Sequence, residues 1–300
     1  MRIAILGAGA VGSYYGALLA RAGNQVEMLA RGEHGKAIAE AGLQVQTPEE
    51  EFTVRPAVTD DPERLAPAEL AVVAVKSYSL PEVAPAARRL AAGGAVVLPL
   101  LNGVSAADEL IGSGVPAKQV LGGTTAISVS RPFPGRVVRH SPFQTMVVGE
   151  LEGGLSPRAE EVASILAAAG VDARASVDVR VDLWRKLIML STLTAACGLA
   201  RAPIGRVRST THGRALLERA VREAGSVARA SGIPLPAGED ARILDVILRL
   251  PPAMKPSLLL DLERGGPTEV DVLSAEVSRR GRALGIDTPI HDTATAAMAL

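Results

Sequence analysis

Gly7-Ala8-Gly9-Ala10-Val11-Gly12 is the stretch that decides how this chain is read. Before it stands Arg2-Ile3-Ala4-Ile5-Leu6, apolar and partly β-branched, the composition of a short buried strand. After it the Ala-rich run 11–21 has the character of a helix. A strand, a glycine turn and a helix are the context in which a G-x-G-x-x-G match becomes a dinucleotide-binding hypothesis. In that arrangement Gly7 permits the tight turn, Gly9 lets the backbone approach a pyrophosphate, and Gly12 lets helix and strand pack closely. Ala8, Ala10 and Val11 complete the turn and the helix N-terminus, whose unpaired N–H groups and partial positive charge suit phosphates. The plainer alternative is an ordinary glycine-rich strand-to-helix turn; the flanking strand and helix favour the dinucleotide.

Residues 25–30 read as the second strand, after a Gly23-Asn24 turn that ends the first helix. Sites that prefer NAD place Asp or Glu at the end of this strand, to bond the ribose 2′-hydroxyl. Here the position holds Arg31, followed by Gly32. A guanidinium donates two hydrogen bonds to a phosphate and has no acceptor for a hydroxyl, so NADP(H) is expected over NAD(H). The alternative is a solvated surface arginine.

Further along, 32–41 is a short helix candidate, and 43–54 a strand pair around polar residues 47–51. Residues 70–75 and 95–101 are continuous apolar runs, as in strands covered on both faces. They end at Lys76 and Asn102, the carboxyl edge at which open parallel sheets bind ligands. Lysine is scarce, 5 against 27 arginines, which draws attention to Lys76. Both positions are also compatible with plain polar strand ends. A later β section begins at Gly122, and 137–140 with 145–149 read as antiparallel strands completing the sheet. Residues 156–169 are helical and 171–175 a short strand. From about residue 179 strand-like runs stop and long helical segments follow, so the domain boundary is expected near 178, with no repeat and no low-complexity linker.

The chain has 300 residues, enough for two domains, and 48% are hydrophobic, enough for a sizeable core. Aromatics are 2%, so that core must be made of Ala, Leu, Val and Ile. Lys+Arg and Asp+Glu both total 32, which removes any global charge argument for nucleic acid. The single cysteine, Cys197, excludes an intrachain disulfide framework and fits a reducing compartment; it lies in an apolar run, as a buried structural thiol would. No signal peptide, no membrane-length apolar run and no metal-ligand spacing is evident. The expectation is a soluble, cytoplasmic protein that takes a small molecule.

In the second half, 182–190 begins a largely apolar helix that carries the only tryptophan and, beside it, Arg185 and Lys186. Partial desolvation lowers a lysine pKa toward the range useful to a general acid, although a snorkelling surface lysine fits the same pattern. Farther on, Thr268-Glu269 reads as the start of a helix running to about residue 284. Glu269 could then simply complement the helix dipole.

With these residues in view, the chain resembles the ketopantoate reductase (2-dehydropantoate 2-reductase) family across nearly its full length. The resemblance rests on the Gly7–Gly12 motif, Ala30-Arg31-Gly32, Val75-Lys76 and Leu101-Asn102-Gly103-Val104. It continues through Trp184-Arg185-Lys186-Leu187, Lys255-Pro256-Ser257 and Pro267-Thr268-Glu269-Val270-Asp271, in this order and spacing. It implies an α/β fold: a Rossmann NADP-binding domain over 1–177, followed by an all-α domain over 178–300. It also implies NADPH-dependent reduction of a branched 2-oxo acid to a 2-hydroxy acid, on the route to pantothenate. In that reading Lys186 is the general acid, and Glu269 holds the lysine and the ligands. Asn102 contacts cofactor and substrate, and Ser257 bonds the substrate carboxylate. Arg31 and Lys76 hold the adenosine end of NADPH, and the Ala126 backbone lines the nicotinamide.

Some positions depart from the family. It commonly places Asn four and eight residues after its lysine, where this chain has Leu190 and Thr194. Ser274-Ala275 replaces a common Asn-Gly pair, and Ser79 a frequent Gln. Leu190 and Thr194 are therefore expected to line a substrate pocket poorer in amides. This leaves open a more apolar 2-oxo acid as substrate, and a non-catalytic dinucleotide sensor as a different class, although retention of Lys186 and Glu269 argues against a sensor. The apolar C-terminal helices are compatible with a homodimer and do not require one.

Overall fold

A computed structural model of the chain describes residues 1–299. The first strand, β1 (Arg2–Leu6), is buried at every position but Arg2, and α1 (Ala10–Arg21), β2 (Gln25–Leu29) and α2 (Gly32–Ala41) follow. The hairpin β3 (Leu43–Gln46) and β4 (Glu51–Val54) precedes β5 (Ala57–Thr59), β6 (Leu70–Val73), α3 (Leu80–Ala92) and β7 (Val96–Pro99). Next come α4 (Ala106–Gly112), β8 (Gly122–Ala126), β9 (Val129–Phe133), β10 (Arg136–Arg139), β11 (Thr145–Gly149), α5 (Pro157–Ala168) and β12 (Asp172–Ser176). Thereafter the regular elements are helical: α6 (Val179–Ala200), α7 (Ile204–Arg208), α8 (Thr211–Ala230), α9 (Glu239–Arg249), α10 (Ser257–Glu263), α11 (Ser274–Ala283) and α12 (Pro289–Met298).

The chain divides into two compact units. The first comprises Met1–Leu101 and Ser105–Val179; the second comprises Asn102–Val104 and the chain from Arg180 onward. In the first unit five strands form a parallel sheet in the order β5-β2-β1-β6-β7. Alternation along β1 sends Ile3 and Ile5 into one apolar cluster and Ala4 and Leu6 into another, so the sheet is covered on both faces. The sheet grows from β1 outward to β2 and then returns to place β6 on the other side of β1. That reversal is the switch point at which doubly wound sheets open a crevice beyond the strand carboxyl ends, and the glycine turn lies there.

Residues 137–140 and 145–149 do not pair with each other in one sheet, as the sequence suggested. Instead β10 lies between β9 and β3 in a four-stranded sheet, β4-β3-β10-β9, and β11 lies between β12 and β8 in a three-stranded one. The connection explains the difference. His140 N–H donates to Ser128 O, Ser128 N–H to Ser141 Oγ, and Ser141 Oγ–H to Phe143 O, so the link closes on itself instead of forming a hairpin turn. A lone parallel bridge, Val97 with Val120, joins β7 to the segment leading into β8.

The second unit packs a separate core among its helices, including Trp184, Leu187, Leu217, Val221, Ile243 and Val277. Glu269 does not begin a helix. A single 3₁₀ turn, Val270–Val272, follows it, and the backbone leaves the helical region at Leu273 before α11 begins. At the break the Val272 carbonyl packs against Gly103, where an added methyl would come within 2.9 Å of it. Among the described residues, no helix is long and apolar enough to cross a membrane.

Among the glycines of the first unit, the closest approach is that of α1 to the glycine turn. A Cβ on Gly12 would sit 2.1 Å from the Gly7 carbonyl oxygen, whereas a Cβ on Gly9 would meet nothing nearer than Ala74 O at 3.8 Å. Gly12→Ala is therefore expected to destabilise the protein by at least about 2 kcal/mol. Gly9→Ala should stay within about 1 kcal/mol of wild type. Denaturant midpoints of the two variants check the difference.

Candidate active site

In the first unit the β1 backbone ends in Gly7 at φ +105°, a conformation that side chains rarely adopt. Ala8 N–H donates to Leu29 O at 3.1 Å, which ties the turn to β2. Gly9 is the N-cap of α1, and Ala10, Val11 and Gly12 form its first turn. No side chain caps this N-terminus, and no acidic residue stands in its first turn. A positive helix end without a competing carboxylate, beside a glycine with open space over its Cα, fits a dinucleotide pyrophosphate.

Arg31 follows β2 and caps α2. It is exposed and forms an ion pair of 3.0 Å with Glu82 on α3. Lys76 is exposed and opens the turn that leads into α3. Ala126 closes β8, opposite Thr145 of β11. The buried Tyr15 hydroxyl of α1 bonds Thr125 Oγ1, which donates to Thr145 O at 2.9 Å, so the strand bearing Ala126 is tied to α1.

In the second unit three of the expected site residues come together. Asn102 Nδ2 donates to Glu269 Oε2 at 3.2 Å, and Glu269 is 4% exposed. Lys186, in the second turn of α6, feels the Glu269 charge. Burial pushes the lysine down to about 8, and the carboxylate pulls it partly back up. Leu190, half-buried, lies one turn beyond Lys186 on the same helical face. Thr194, a further turn along, is 2% exposed and donates its hydroxyl hydrogen to Leu190 O and Ser191 O of its own helix. Its one proton is thus bonded within α6, and what the hydroxyl offers any further group is an acceptor. Ser257 is exposed at the first position of α10, and Ser274, 1% exposed, faces the His291 ring instead of solvent.

Two residues of these neighbourhoods carry no sequence signal. Glu239, 3% exposed at the start of α9, accepts from Arg185 Nε at 3.1 Å and Arg242 Nε at 2.8 Å. Burial alone would raise its pKa, but the hydrogen bonds from Arg242 and Arg185 outweigh that and lower it. The pair clamps α9 to α6 one residue from Lys186. In the sequence, Glu239 looks like any acidic residue at a helix start. His34, buried in α2, bonds Ser13 of α1, although a histidine in a short polar helix reads as a surface residue. Among the described residues no group of three or more His, Cys, Asp or Glu side chains could hold a metal ion.

A glycine cradle at the switch point of a parallel sheet, with a desolvated lysine beside a buried glutamate, defines a dinucleotide-dependent oxidoreductase. Comparison with known proteins agrees. Residues 3–153 match the family model for ketopantoate reductase PanE/ApbA, and residues 178–300 the model for its C-terminal domain. A 2-dehydropantoate 2-reductase from Halobacterium salinarum is 34% identical over 297 residues, covering 98% of this chain and 96% of that protein. The solved PanE/ApbA-family ketopantoate reductase from Ralstonia eutropha is 34% identical, with a TM-score of 0.91 over 100% of this chain and 97% of its own. A D-mandelate dehydrogenase solved with NADH and anilino(oxo)acetate is 25% identical, with a TM-score of 0.90 over 100% and 97%. This chain belongs to the ketopantoate reductase family, with its Rossmann-type domain first and its helical domain second.

The electrostatics of the lysine can be checked directly. Replacing Glu269 by Gln removes the charge that supports the ammonium while keeping an acceptor for Asn102. The lysine pKa in Glu269→Gln is expected to fall below its wild-type value of about 8. With five lysines in the chain, a pH titration followed by ¹⁵N-lysine NMR reads this shift.

Proposed function

We propose that the protein is an NADPH-dependent 2-dehydropantoate 2-reductase, producing pantoate on the route to pantothenate. The observation that supports this best is the joining of Lys186, Glu269 and Asn102, with the lysine pKa brought to about 8. Residues 1–177 act as the NADP-binding domain and 178–300 as the helical substrate domain. When bound, the nicotinamide cofactor supplies the hydride for the carbonyl carbon. Lys186 stabilises the alkoxide that develops on the carbonyl oxygen and gives it a proton. An acid of pKa near 8 is still largely protonated at neutral pH and is more willing to release its proton than an ordinary lysine. Glu269 keeps the ammonium charged and placed, and Asn102 orients Glu269 while its amide serves the ligands. Ser257 receives the substrate carboxylate.

For the cofactor, the Gly7–Gly12 turn takes the pyrophosphate, Arg31 and Lys76 take the adenosine end, and the Ala126 backbone lines the nicotinamide. Arg31 must exchange its Glu82 partner for the 2′-phosphate, which an exposed ion pair allows at little cost. Balanced charge and a buried, unpaired Cys197 support a cytoplasmic enzyme of small molecules.

A second reading has its own support. Leu190 stands where the family commonly has Asn, and the similar D-mandelate dehydrogenase was solved with anilino(oxo)acetate, a ligand with an aromatic substituent. A more apolar 2-oxo acid is therefore the alternative substrate.

Oxidation of NADPH with a panel of 2-oxo acids, ketopantoate included, separates the two substrates, and no turnover with any of them would overturn both. With the best substrate, Lys186→Ala should lower kcat by about 10²–10⁴-fold and leave NADPH affinity nearly unchanged. The acid works only in its protonated form, present below its pKa and lost above it. The wild-type rate should thus fall as pH rises through about 8, and this limb should vanish in Lys186→Ala. Arg31→Ala should weaken NADPH binding by about tenfold or more, from loss of a charge-assisted bond worth roughly 1.5–3 kcal/mol, and spare NADH. Fluorescence titration with both cofactors checks it.

A further inference from the structure

His34 is the third residue of α2, 5% exposed, and both of its ring nitrogens are bonded. Nδ1 lies 2.9 Å from the backbone N of Gly135, in the turn between β9 and β10. A backbone N–H can only donate, so Nδ1 accepts and the ring proton resides on Nε2. Nε2 lies 3.0 Å from Ser13 Oγ and donates to it. Ser13, 0% exposed on α1, sends its own proton to the Ala8 carbonyl at 3.0 Å. The bonds therefore run in one direction, from Gly135 through His34 and Ser13 to the second residue of the glycine turn. Burial, with Arg131 nearby, holds His34 down to about 4, so the ring is neutral and keeps its acceptor at neutral pH.

The endpoint matters because of peptide planarity. The Ala8 C=O and the Gly9 N–H belong to one trans amide and point in opposite directions. A carbonyl drawn to Ser13 turns the Gly9 N–H the opposite way, away from Ser13, and the turn is uncrowded at Gly9, where an added Cβ would meet nothing nearer than 3.8 Å. We infer that His34 and Ser13 are positioning residues for the dinucleotide phosphates, a buried relay that sets the Ala8–Gly9 peptide plane and aims the Gly9 N–H at the pyrophosphate. The inference rests on the dinucleotide reading of the glycine turn. It differs in kind from the role given to Arg31, because the pyrophosphate is common to NADPH and NADH.

The test uses the full-length protein and equilibrium binding. Ser13→Ala and His34→Leu are expected to weaken NADPH and NADH by the same factor, about tenfold, the effect of roughly one hydrogen bond. Adenosine 2′-monophosphate, which has no pyrophosphate, should bind both variants as it binds wild type. His34→Gln, whose amide can accept from Gly135 and donate to Ser13, should recover most of the loss. In turnover the Michaelis constant for the cofactor should move far more than kcat. A wild-type protein that binds neither cofactor would sink the dinucleotide reading and this inference with it. Wild-type binding matched by both variants would overturn the relay alone. Equal loss of adenosine 2′-monophosphate and NADPH would also overturn it, since the damage would then be to the fold.

Discussion

The approach of α1 to the Gly7 carbonyl is the constraint on which the first unit depends. A single methyl on Gly12 would lie 2.1 Å from that oxygen, so the helix reaches its place only because the position has no side chain. This closeness sets the start of α1 at the end of β1, where the strand order reverses. From that seat other features follow. Tyr15 reaches Thr125 of β8, Ser13 reaches both Ala8 and His34, and the first turn has no side-chain cap and no acidic residue of its own. Neither kind of group therefore offsets the positive helix end from within that turn.

The second unit is governed by the opposite problem, the placing of charge where water is scarce. Glu269 and Glu239 are both nearly inaccessible, and each is held by donors. A buried carboxylate without partners would be costly, so the surrounding groups must be fixed in position. At Glu239 two arginines satisfy the carboxylate and the result is mechanical, a clamp between α9 and α6. At Glu269 Asn102 is a donor, and the neighbouring Lys186 bears its own desolvation as a lowered pKa. The same physics therefore gives a structural anchor at one glutamate and a lysine of lowered pKa beside the other.

Much of this was legible in the chain. Parallel strands buried on both faces leave continuous apolar runs, and β1, β6 and β7 stood out for that reason. Ser156, whose hydroxyl caps α5 by accepting from Ala159 N–H, marks a helix start by local chemistry alone. The partition of β10 and β11 between separate sheets was not legible. Strand-like composition shows that a segment pairs, and it does not name the partner. Nor did the run after Glu269 disclose its break at Leu273, where the Val272 carbonyl packs against Gly103, far away in the sequence.

By itself, the sequence determined the glycine turn, the two-part organisation, the family and the residue types available for chemistry. These depend on spacing, on backbone freedom at particular glycines and on hydrophobic period, all of which are local. Tertiary structure alone decided how those residues act. It brought Asn102 to Glu269 across more than half the chain, turned the Thr194 hydroxyl back onto its own helix, buried His34 with one fixed tautomer and stripped Lys186 of enough water to lower its pKa. Hydrogen-bond direction and desolvation are properties of surroundings, and the surroundings of a side chain exist only once distant segments have packed around it.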